Sequence, residues 1–441
     1  MRFLLPAVTL TLLVSACRTS TPPAPTPTPT AVCPQATPIP LNTQGVIHPS
    51  TLTSTPRWTA PHIPGRVLIA SSNFQTQALP AGTQTRTITP TLTLALTPAG
   101  TTDQTFAEQL MARGFTVQPD YLYGPLANPN DPGVPGNGGL LIPGTTTPAT
   151  QTYLTRIHAP EAWTFLQGCG KTPTAALTAV LDTKIDTTHP DLAGRINSAA
   201  SFLSPDAGGS DTSSGHGTAS AGLIGATTNN RTGLAGVTWT GPLLAVEVLG
   251  ANGGSTTSLT QGLNYAVQQG AKVINMSLGS PGPSSDTILY RALTTAAQSA
   301  VLVAAAGNTA SEGIYFPASH PDVIAVGAVG PDDNQLACYS ARPNATLTRQ
   351  LDLVAPGGAG NCPGATNASQ MLILAPGGSY TLGAGTSFAA PLVSGAAALM
   401  RAANPQLSAP ATRNLLIASA TTTSNSLKIL NINAAIRAAT K

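Results

Sequence analysis

The feature that most constrains the fold is an alternation of short apolar runs with helical segments over residues 151–441. The runs apolar enough for buried strands are residues 175–181, 243–249, 272–276, 301–305 and 323–329. Segments with helical character lie between or beyond them, at residues 258–269, 286–299 and 387–402. Buried strands that alternate with helices favour a mainly parallel sheet covered by helices on both faces. We therefore predict an α/β fold, with functional groups at the strand ends and in the adjoining loops.

A smaller unit precedes this alternation, from residue 62 to residue 127. Its strand-like runs and its one short amphipathic helix follow in the order strand, strand, helix, strand, at residues 66–70, 91–96, 106–113 and 115–123. Residues 128–150 then break into Gly, Pro and Asn, which predicts an exposed and cleavable linker. The sequence therefore predicts a small α+β unit and a larger α/β unit, joined by that linker.

The first residues have the composition of an export signal. A short positive start is followed by a mostly apolar stretch at residues 3–14 and by small residues up to Cys17. The residues around Cys17 resemble the bacterial lipobox, in which the cysteine is lipidated and becomes the new N-terminus. An ordinary signal peptide cut after Ala16 is the alternative. We expect residues 1–16 to be removed and Cys17 to anchor the chain to a membrane, with the Thr/Pro-rich residues 17–61 as an extended spacer.

Cysteine usage agrees with export, because an oxidising compartment permits disulfides. Apart from Cys17 the chain has Cys33, Cys169, Cys338 and Cys362, which allow three full pairings. We favour a bond between Cys338 and Cys362, because both lie in one late segment. A bond between Cys33 and Cys169 would tie the N-terminal region to the larger unit, and free buried cysteines are the remaining alternative.

Composition excludes some classes of function. Only 8% of the residues are charged while 41% are hydrophobic, which describes a globular core diluted by connecting segments rather than a disordered chain. The formal net charge is +3, and no run of Lys or Arg marks a basic patch. We therefore expect no nucleic-acid partner.

Four polar residues stand where a sheet of this kind carries its functional groups. Asp182 ends an apolar run, and Asn308 follows another. His216 opens a glycine-rich segment before a helix, and Ser387 begins a long apolar helix. Hydrolysis by a serine needs a hydroxyl, an imidazole that takes its proton, a carboxylate that orients the imidazole, and donors for the oxyanion. Taken singly, each residue has a plainer interpretation as a helix cap, a turn or a surface side chain.

Their order along the chain, Asp before His before Ser, is the order known for subtilisin. Several short motifs around them resemble those of the subtilase family: Leu181-Asp182-Thr183, Thr188-His189-Pro190-Asp191-Leu192, His216-Gly217-Thr218, Asn275-Met276-Ser277-Leu278-Gly279, Ala306-Gly307-Asn308 and Gly385-Thr386-Ser387. The resemblance covers residues 153–439. It implies a subtilisin-like fold and the activity of a secreted serine endopeptidase that acts on proteins and peptides.

The resemblance also implies roles for single residues. Ser387 would be the nucleophile, His216 the general base and then acid, and Asp182 the residue that fixes the imidazole tautomer. Asn308 would help to form the oxyanion hole. The backbone of Ser277, Leu278 and Gly279 would pair with extended substrate, as in β-strand addition.

The pocket for the residue before the cut bond follows from the same resemblance. Ala305, Ala306 and Gly307 would form one wall, and Tyr315 would lie near the base. Because these residues are apolar, we expect a preference for apolar or aromatic residues before the cut bond. A panel of peptides that favoured charged residues there would contradict this expectation.

The small unit resembles the inhibitory propeptide of subtilases, whose last strand occupies the active site until it is cut. We expect this unit to inhibit its own catalytic domain, with processing between Pro125 and Thr150. A permanent accessory domain is the alternative.

Some residues depart from the family pattern. Lys184 stands where the family usually has Gly, Ala219 replaces a usual His, and Phe388 follows the predicted nucleophile in place of Met. No cofactor is expected for the chemistry. Calcium sites are frequent in the family, yet no acidic cluster here has the spacing of oxygen ligands, so none can be placed.

Two other functions compete with the endopeptidase. A catalytically silent surface lipoprotein could use the same scaffold to bind peptides, but it would not need to retain Asp182, His216, Ser387 and Asn308 together. An esterase or amidase could use the same residues, although the segment at residues 277–279 favours peptides.

Overall fold

The computed structural model describes residues 62–70, 79–80, 82–121, 128–281 and 285–441. The predicted signal segment, the lipidation of Cys17, the spacer at residues 17–61 and Cys33 lie outside these residues, as does the end of the strand predicted to reach residue 123. Among the helices that are described, none is both long enough and apolar enough to cross a bilayer.

The small N-terminal unit is an antiparallel sheet with one helix. Its strands are β1 (His62–Ala70), β2 (Thr85–Thr89), β3 (Leu92–Leu96) and β4 (Thr116–Tyr121), in the order β2-β3-β1-β4. Helix α1 (Asp103–Met111) is capped by Thr102, whose side chain accepts from the backbone N–H of Thr105. Phe106 and Leu110 of this helix are buried with Val67 and Val117 of the sheet. The α+β character predicted for this region is therefore present.

The larger unit is built on a sheet whose order is β14-β15-β11-β10-β9-β8-β5-β7-β6. The strands of this unit are β5 (Thr178–Asp182), β6 (Ile196–Ser201), β7 (Leu243–Glu247), β8 (Val273–Met276), β9 (Val301–Ala305), β10 (Val323–Val329), β11 (Leu353–Pro356), β12 (Met371–Ala375), β13 (Ser379–Gly383), β14 (Thr421–Thr422) and β15 (Lys428–Ile429). Neighbouring strands from β6 to β15 in the nine-stranded sheet are parallel, and only β14 pairs antiparallel. Strands β12 and β13 form a separate antiparallel pair.

Helices cover both faces of this sheet, which confirms the predicted fold class. They are α2 (Thr152–Arg156), α3 (Ala159–Gly168), α4 (His216–Gly225), α5 (Thr256–Gln268), α6 (Thr287–Ala296), α7 (Thr386–Ala403), α8 (Ala409–Ala418) and α9 (Ile432–Ala439). Successive residues of a strand point to opposite faces. Accordingly Val301 and Val303 of β9 pack with α3, α7 and α9, whereas Leu302 and Ala304 pack with α5 and α6.

Residues 128–150 differ from the exposed linker that their composition predicts. Asp131 is fully buried, and Val134 and Ile142 are nearly so. The backbone N–H of Gly133 donates to the carbonyl of Gly233 at 2.7 Å, and Leu140 forms a bridge with Ala149. The segment is thus packed onto the larger unit, because a few apolar side chains and one buried carboxylate fasten a stretch that is otherwise rich in Gly and Pro.

One disulfide lies wholly within the described residues. Cys338 and Cys362 are bonded, with their Cα atoms 5.6 Å apart, which is within the ordinary range. Cys169 is also disulfide-bonded.

Candidate active site

The Asp182 side chain lies at the carboxyl end of β5, in the middle of the sheet, and is fully buried. Its Oδ1 is 2.6 Å from Nδ1 of His216 and accepts the backbone N–H of Thr183 at 2.7 Å. Its Oδ2 accepts the hydroxyl of Ser220 at 3.0 Å. The carboxylate therefore has a hydrogen-bond donor on both oxygens, as a buried charge requires.

Two glycines allow His216 to approach this carboxylate. His216 is the first residue of α4, and Gly215 before it has a φ of +63°, which favours glycine. A methyl group on Gly217 would lie 2.3 Å from the carbonyl oxygen of Thr183, so only glycine fits there. The N–H of Gly217 donates to the Thr183 hydroxyl at 3.0 Å. The helix start is thereby held against the end of β5.

The charge of Asp182 dominates the electrostatics of His216. It raises the pKa of the imidazole above the usual value, although burial acts in the opposite direction. The nearby Asp211 adds a smaller effect of the same sign. Lys184, the departure from the family pattern, has an exposed side chain, whereas the Asp182 carboxylate points inward.

Ser387 lies in the first turn of α7, and its contacts join that helix to the segment after β8. The Ser387 hydroxyl donates to the carbonyl of Ser277 at 3.3 Å, and the Ser277 hydroxyl donates to the carbonyl of Ser387 at 2.7 Å. The ring of the adjacent Phe388 has its centroid 5.8 Å from that of His216. The structure therefore brings the first turns of α4 and α7 together.

A chain of buried hydrogen bonds links Ser277 through Asn275 to Ser394 in α7. Nδ2 of Asn275 donates to the Ser277 hydroxyl at 3.0 Å, and the Ser394 hydroxyl donates to Oδ1 of Asn275 at 2.8 Å. Asn275 and Ser394 are fully buried. Sequence reasoning gave no role to either, nor to Ser220; the available signal was a small polar residue within an otherwise apolar strand or helix.

Asn308 is oriented by Thr386, the residue before Ser387. Its Oδ1 accepts both the backbone N–H and the hydroxyl of Thr386, each at 2.9 Å. Because the amide oxygen is occupied, the amide Nδ2 remains as a donor on an exposed side chain. The arrangement offers a hydrogen-bond donor beside the first turn of α7.

The segments predicted to bind substrate lie side by side. Ser280, next to Gly279, exchanges backbone hydrogen bonds of 2.8 and 3.0 Å with Phe316, and Tyr315 donates its N–H to the carbonyl of Ala306 at 2.8 Å. A groove of about 830 Å³ runs along this region, lined among others by His216, Leu278 and Gly279. Leu259, Asp286 and Leu289 also line it.

A second cluster, away from the groove, contains two buried carboxylates. Asp131 accepts the backbone N–H groups of Asn229 and Asn230 at 2.9 and 3.1 Å, while Asp191 accepts the N–H of Leu234 at 2.7 Å. Burial raises the pKa of Asp191 to about 6, and the charge of Asp131 acts in the same direction. Over the part of the chain that the structure describes, no three His, Cys, Asp or Glu side chains are grouped closely enough to hold a metal ion.

Comparison with known proteins gives a consistent result. The sequence model of the subtilase family matches residues 174–433. The chain is 39% identical over 270 residues to subtilisin Savinase from Lederbergia lenta, covering 61% of this chain and 90% of that protein. It is 36% identical over 247 residues to thermitase from Thermoactinomyces vulgaris, covering 56% of this chain and 80% of that protein.

Solved structures agree. A protease from Pseudoalteromonas arctica PAMC 21717 has a TM-score of 0.58 and 29% sequence identity, over 71% of this chain and 100% of that one. The family match covers more than half of the chain, the relatives are aligned over most of their length, and the sheet with its two helical layers is the fold that they share. This protein therefore belongs to the subtilase family of serine endopeptidases.

Proposed function

We propose that this protein hydrolyses peptide bonds with Ser387 as nucleophile, His216 as general base and Asp182 as the residue that orients the imidazole. The observation that carries the proposal is the 2.6 Å contact between His216 Nδ1 and Asp182 Oδ1. An imidazole that donates from Nδ1 to a buried carboxylate presents Nε2 as a proton acceptor.

In the first step, the Ser387 hydroxyl oxygen attacks the carbonyl carbon of the substrate while its proton moves to Nε2 of His216. The carbonyl oxygen becomes an oxyanion, and in this proposal Nδ2 of Asn308 donates a hydrogen bond to it. Collapse of this intermediate breaks the C–N bond, and His216 gives its proton to the leaving amine. Water, deprotonated in turn by His216, then hydrolyses the acyl-enzyme and restores Ser387.

The substrate is proposed to bind as an extended strand beside residues 277–279, with its backbone paired to that edge. The preference for apolar residues before the cut bond stays a prediction. Neither formation nor hydrolysis of the acyl-enzyme needs a cofactor in this proposal, since the chain itself supplies the nucleophile, the base and the oxyanion donor.

A fluorophosphonate probe tests the proposed nucleophile directly. We expect it to label the active protein once, at Ser387, and to stop casein digestion in proportion to the labelling, because phosphonylation removes the attacking hydroxyl. Peptide mapping by mass spectrometry locates the label. Labelling of another serine, or casein digestion that continues after complete labelling of Ser387, would refute the proposed role. No labelling together with tight peptide binding would favour the silent peptide-binding function.

We also propose that the unit at residues 62–127 acts as a propeptide and is cut off before Asn128. The packing of residues 128–150 supports this position, because Asp131 is buried and Gly133 is hydrogen-bonded to Gly233. A cut inside that segment would release buried groups, whereas a cut before it would leave them in the mature enzyme. Export and lipidation of Cys17 belong to the same proposal and rest on the sequence of residues 1–17.

The buried carboxylates Asp131 and Asp191 do not have the surroundings of a calcium site. Backbone N–H groups and Nδ2 of Asn230 donate to their oxygens, so hydrogen-bond donors, and not further oxygen ligands, surround them. Burial raises the pKa of Asp191 in spite of these hydrogen bonds, because the charged form loses its hydration.

We propose that the stability of the fold depends on pH through Asp191. The pKa of Asp191 is about 6 in the folded protein and 3.8 for the ordinary carboxyl, so its stabilising contribution is complete below pH 3.8 and is lost as the pH rises through 6. Asp191→Asn should therefore lose less stability than the parent protein between pH 4.5 and pH 8.

Thermal unfolding is followed by circular dichroism on the Ser387→Ala protein, which excludes self-digestion. Asp191→Asn should reduce the dependence of the unfolding midpoint on pH, while the matched change at the exposed Asp206 should preserve it. An unchanged pH dependence in Asp191→Asn would assign it to other groups.

A further inference from the structure

Tyr315 lies at the point where the two predicted substrate-binding segments meet. Its backbone N–H donates to the carbonyl of Ala306, and the next residue, Phe316, is bridged to Ser280. Residues 315–316 are therefore hydrogen-bonded to Ala306 on one side and to Ser280 on the other, and we call the space between the segments 277–279 and 305–307 the recess.

The ring of Tyr315 packs against the glycines on both sides of the recess. A methyl group on Gly307 would lie 2.5–2.8 Å from Cδ1, Cγ and Cε1 of the ring. A methyl group on Gly279 would lie 3.0 Å from Cβ and 3.6 Å from Cδ2 of Tyr315. The side chain of Tyr315 thus lies next to both glycines, and a side chain on Gly307 would collide with the ring.

Hydrogen bonds hold the end of the ring in place. The Tyr315 hydroxyl donates to the carboxylate of Glu312 and lies 3.1 Å from the hydroxyl of Thr309. Partial burial, followed by the Glu312 interaction, raises the pKa of the phenol, so the hydroxyl remains a donor in neutral and mildly alkaline solution. Rotation of the ring out of the recess would break these contacts.

We propose that the Tyr315 ring fills the recess and limits the substrate residue before the cut bond to a small side chain, namely Gly, Ala or Ser. The inference rests on the proposed function and narrows its expected preference, which included aromatic residues. An aromatic side chain would need the volume that the ring already occupies, whereas a methyl group needs only the space at the rim. Tyr315 is thereby a specificity residue, and the substrates are proteins cut after small residues.

The test compares two chromogenic peptides that differ only in the residue before the cut bond, Ala or Phe. For the native protein we expect kcat/KM for Ala to exceed that for Phe by at least about 10-fold. Tyr315→Ala should raise the Phe-to-Ala ratio by about 10- to 100-fold, the range that added or lost apolar contacts in a pocket produce. Tyr315→Phe keeps the ring and should keep the native ratio, as should Tyr290→Ala, which removes an exposed tyrosine of α6.

Each Phe-to-Ala ratio of kcat/KM is measured within one preparation, so the fraction of correctly folded protein cancels from it. Tyr315→Ser serves as a second variant with a small side chain. A native preference for Phe, or an unchanged ratio in both Tyr315→Ala and Tyr315→Ser, would overturn the proposal. Labelling of Ser387 by the fluorophosphonate, measured in the same samples, separates this outcome from failure of the proposed function. Without labelling and without cleavage of either peptide, both proposals fall together.

Discussion

Replacing Ser387 with Ala is expected to lower kcat for peptide hydrolysis by about 10⁶-fold, the loss measured for the corresponding change in subtilisin, a member of the same family. The hydroxyl is the only atom group removed, and without it no acyl-enzyme can form. Release of nitroaniline from a peptide substrate measures the effect. The matched control is Ser299→Ala, which changes an exposed serine just before the amino end of β9 and should digest casein like the native protein.

The same pair of proteins reports on processing. Intact mass should show the native chain shortened, with a new N-terminus before Asn128, and the Ser387→Ala chain uncut. A Ser387→Ala protein that still shortened itself to the same product would point to another protease or another nucleophile. An active native protein that kept residues 62–127 attached would favour the accessory-domain interpretation instead.

Asp182→Asn is expected to reduce kcat by about 10⁴-fold with little change in KM, because the amide no longer fixes the imidazole tautomer or stabilises the imidazolium. Losses of about this size are found when the aspartate of a Ser-His-Asp triad is changed to Asn or removed. The charge of Asp182 raises the pKa of His216, and only the neutral imidazole can take a proton. Activity of the native protein should therefore rise with pH through that raised pKa.

Loss of the charge should lower the pKa of His216 and shift the acidic limb of the residual activity to lower pH. Profiles of kcat/KM between pH 5 and 9 measure this shift. Asp211→Asn is a graded comparison, because Asp211 has the smaller effect on the pKa of His216. The acidic limb of its pH profile should move in the same direction by less, with Asp182 still in place. Near-native turnover in Asp182→Asn would contradict the orienting role.

The strands and helices of the larger unit were predictable because their signal is local. Buried strands such as β9 and β10 are continuous apolar runs, and helices such as α7 begin at recognisable residues, so the fold class followed from their alternation. The position of Asp182 at a strand end and of His216 and Ser387 at helix starts could be read in the same way. Their assigned roles stay predictions.

What the sequence could not reveal depends on contacts between distant residues. Asp131 lies in a Gly/Pro-rich stretch whose composition indicates exposure, yet it accepts hydrogen bonds from residues 229 and 230, nearly a hundred positions later. Ser394 reaches Asn275 across the interface of α7 and β8. Tyr315 was predicted near the base of a pocket, but only the packing of its ring against Gly307 indicates how much of that space remains.

The donors around Asp182 have a consequence for the energy of proton transfer. In the proposed mechanism, His216 takes the proton of the nucleophile, and a positive charge then appears beside a carboxylate that already accepts hydrogen bonds from Thr183 and Ser220. No water has to turn and no side chain has to move to stabilise that charge, whereas solvent in the uncatalysed reaction must reorganise for every event. The donors around Asp182 are oriented once, when the chain folds, and the same orientation is present at the start of every catalytic cycle.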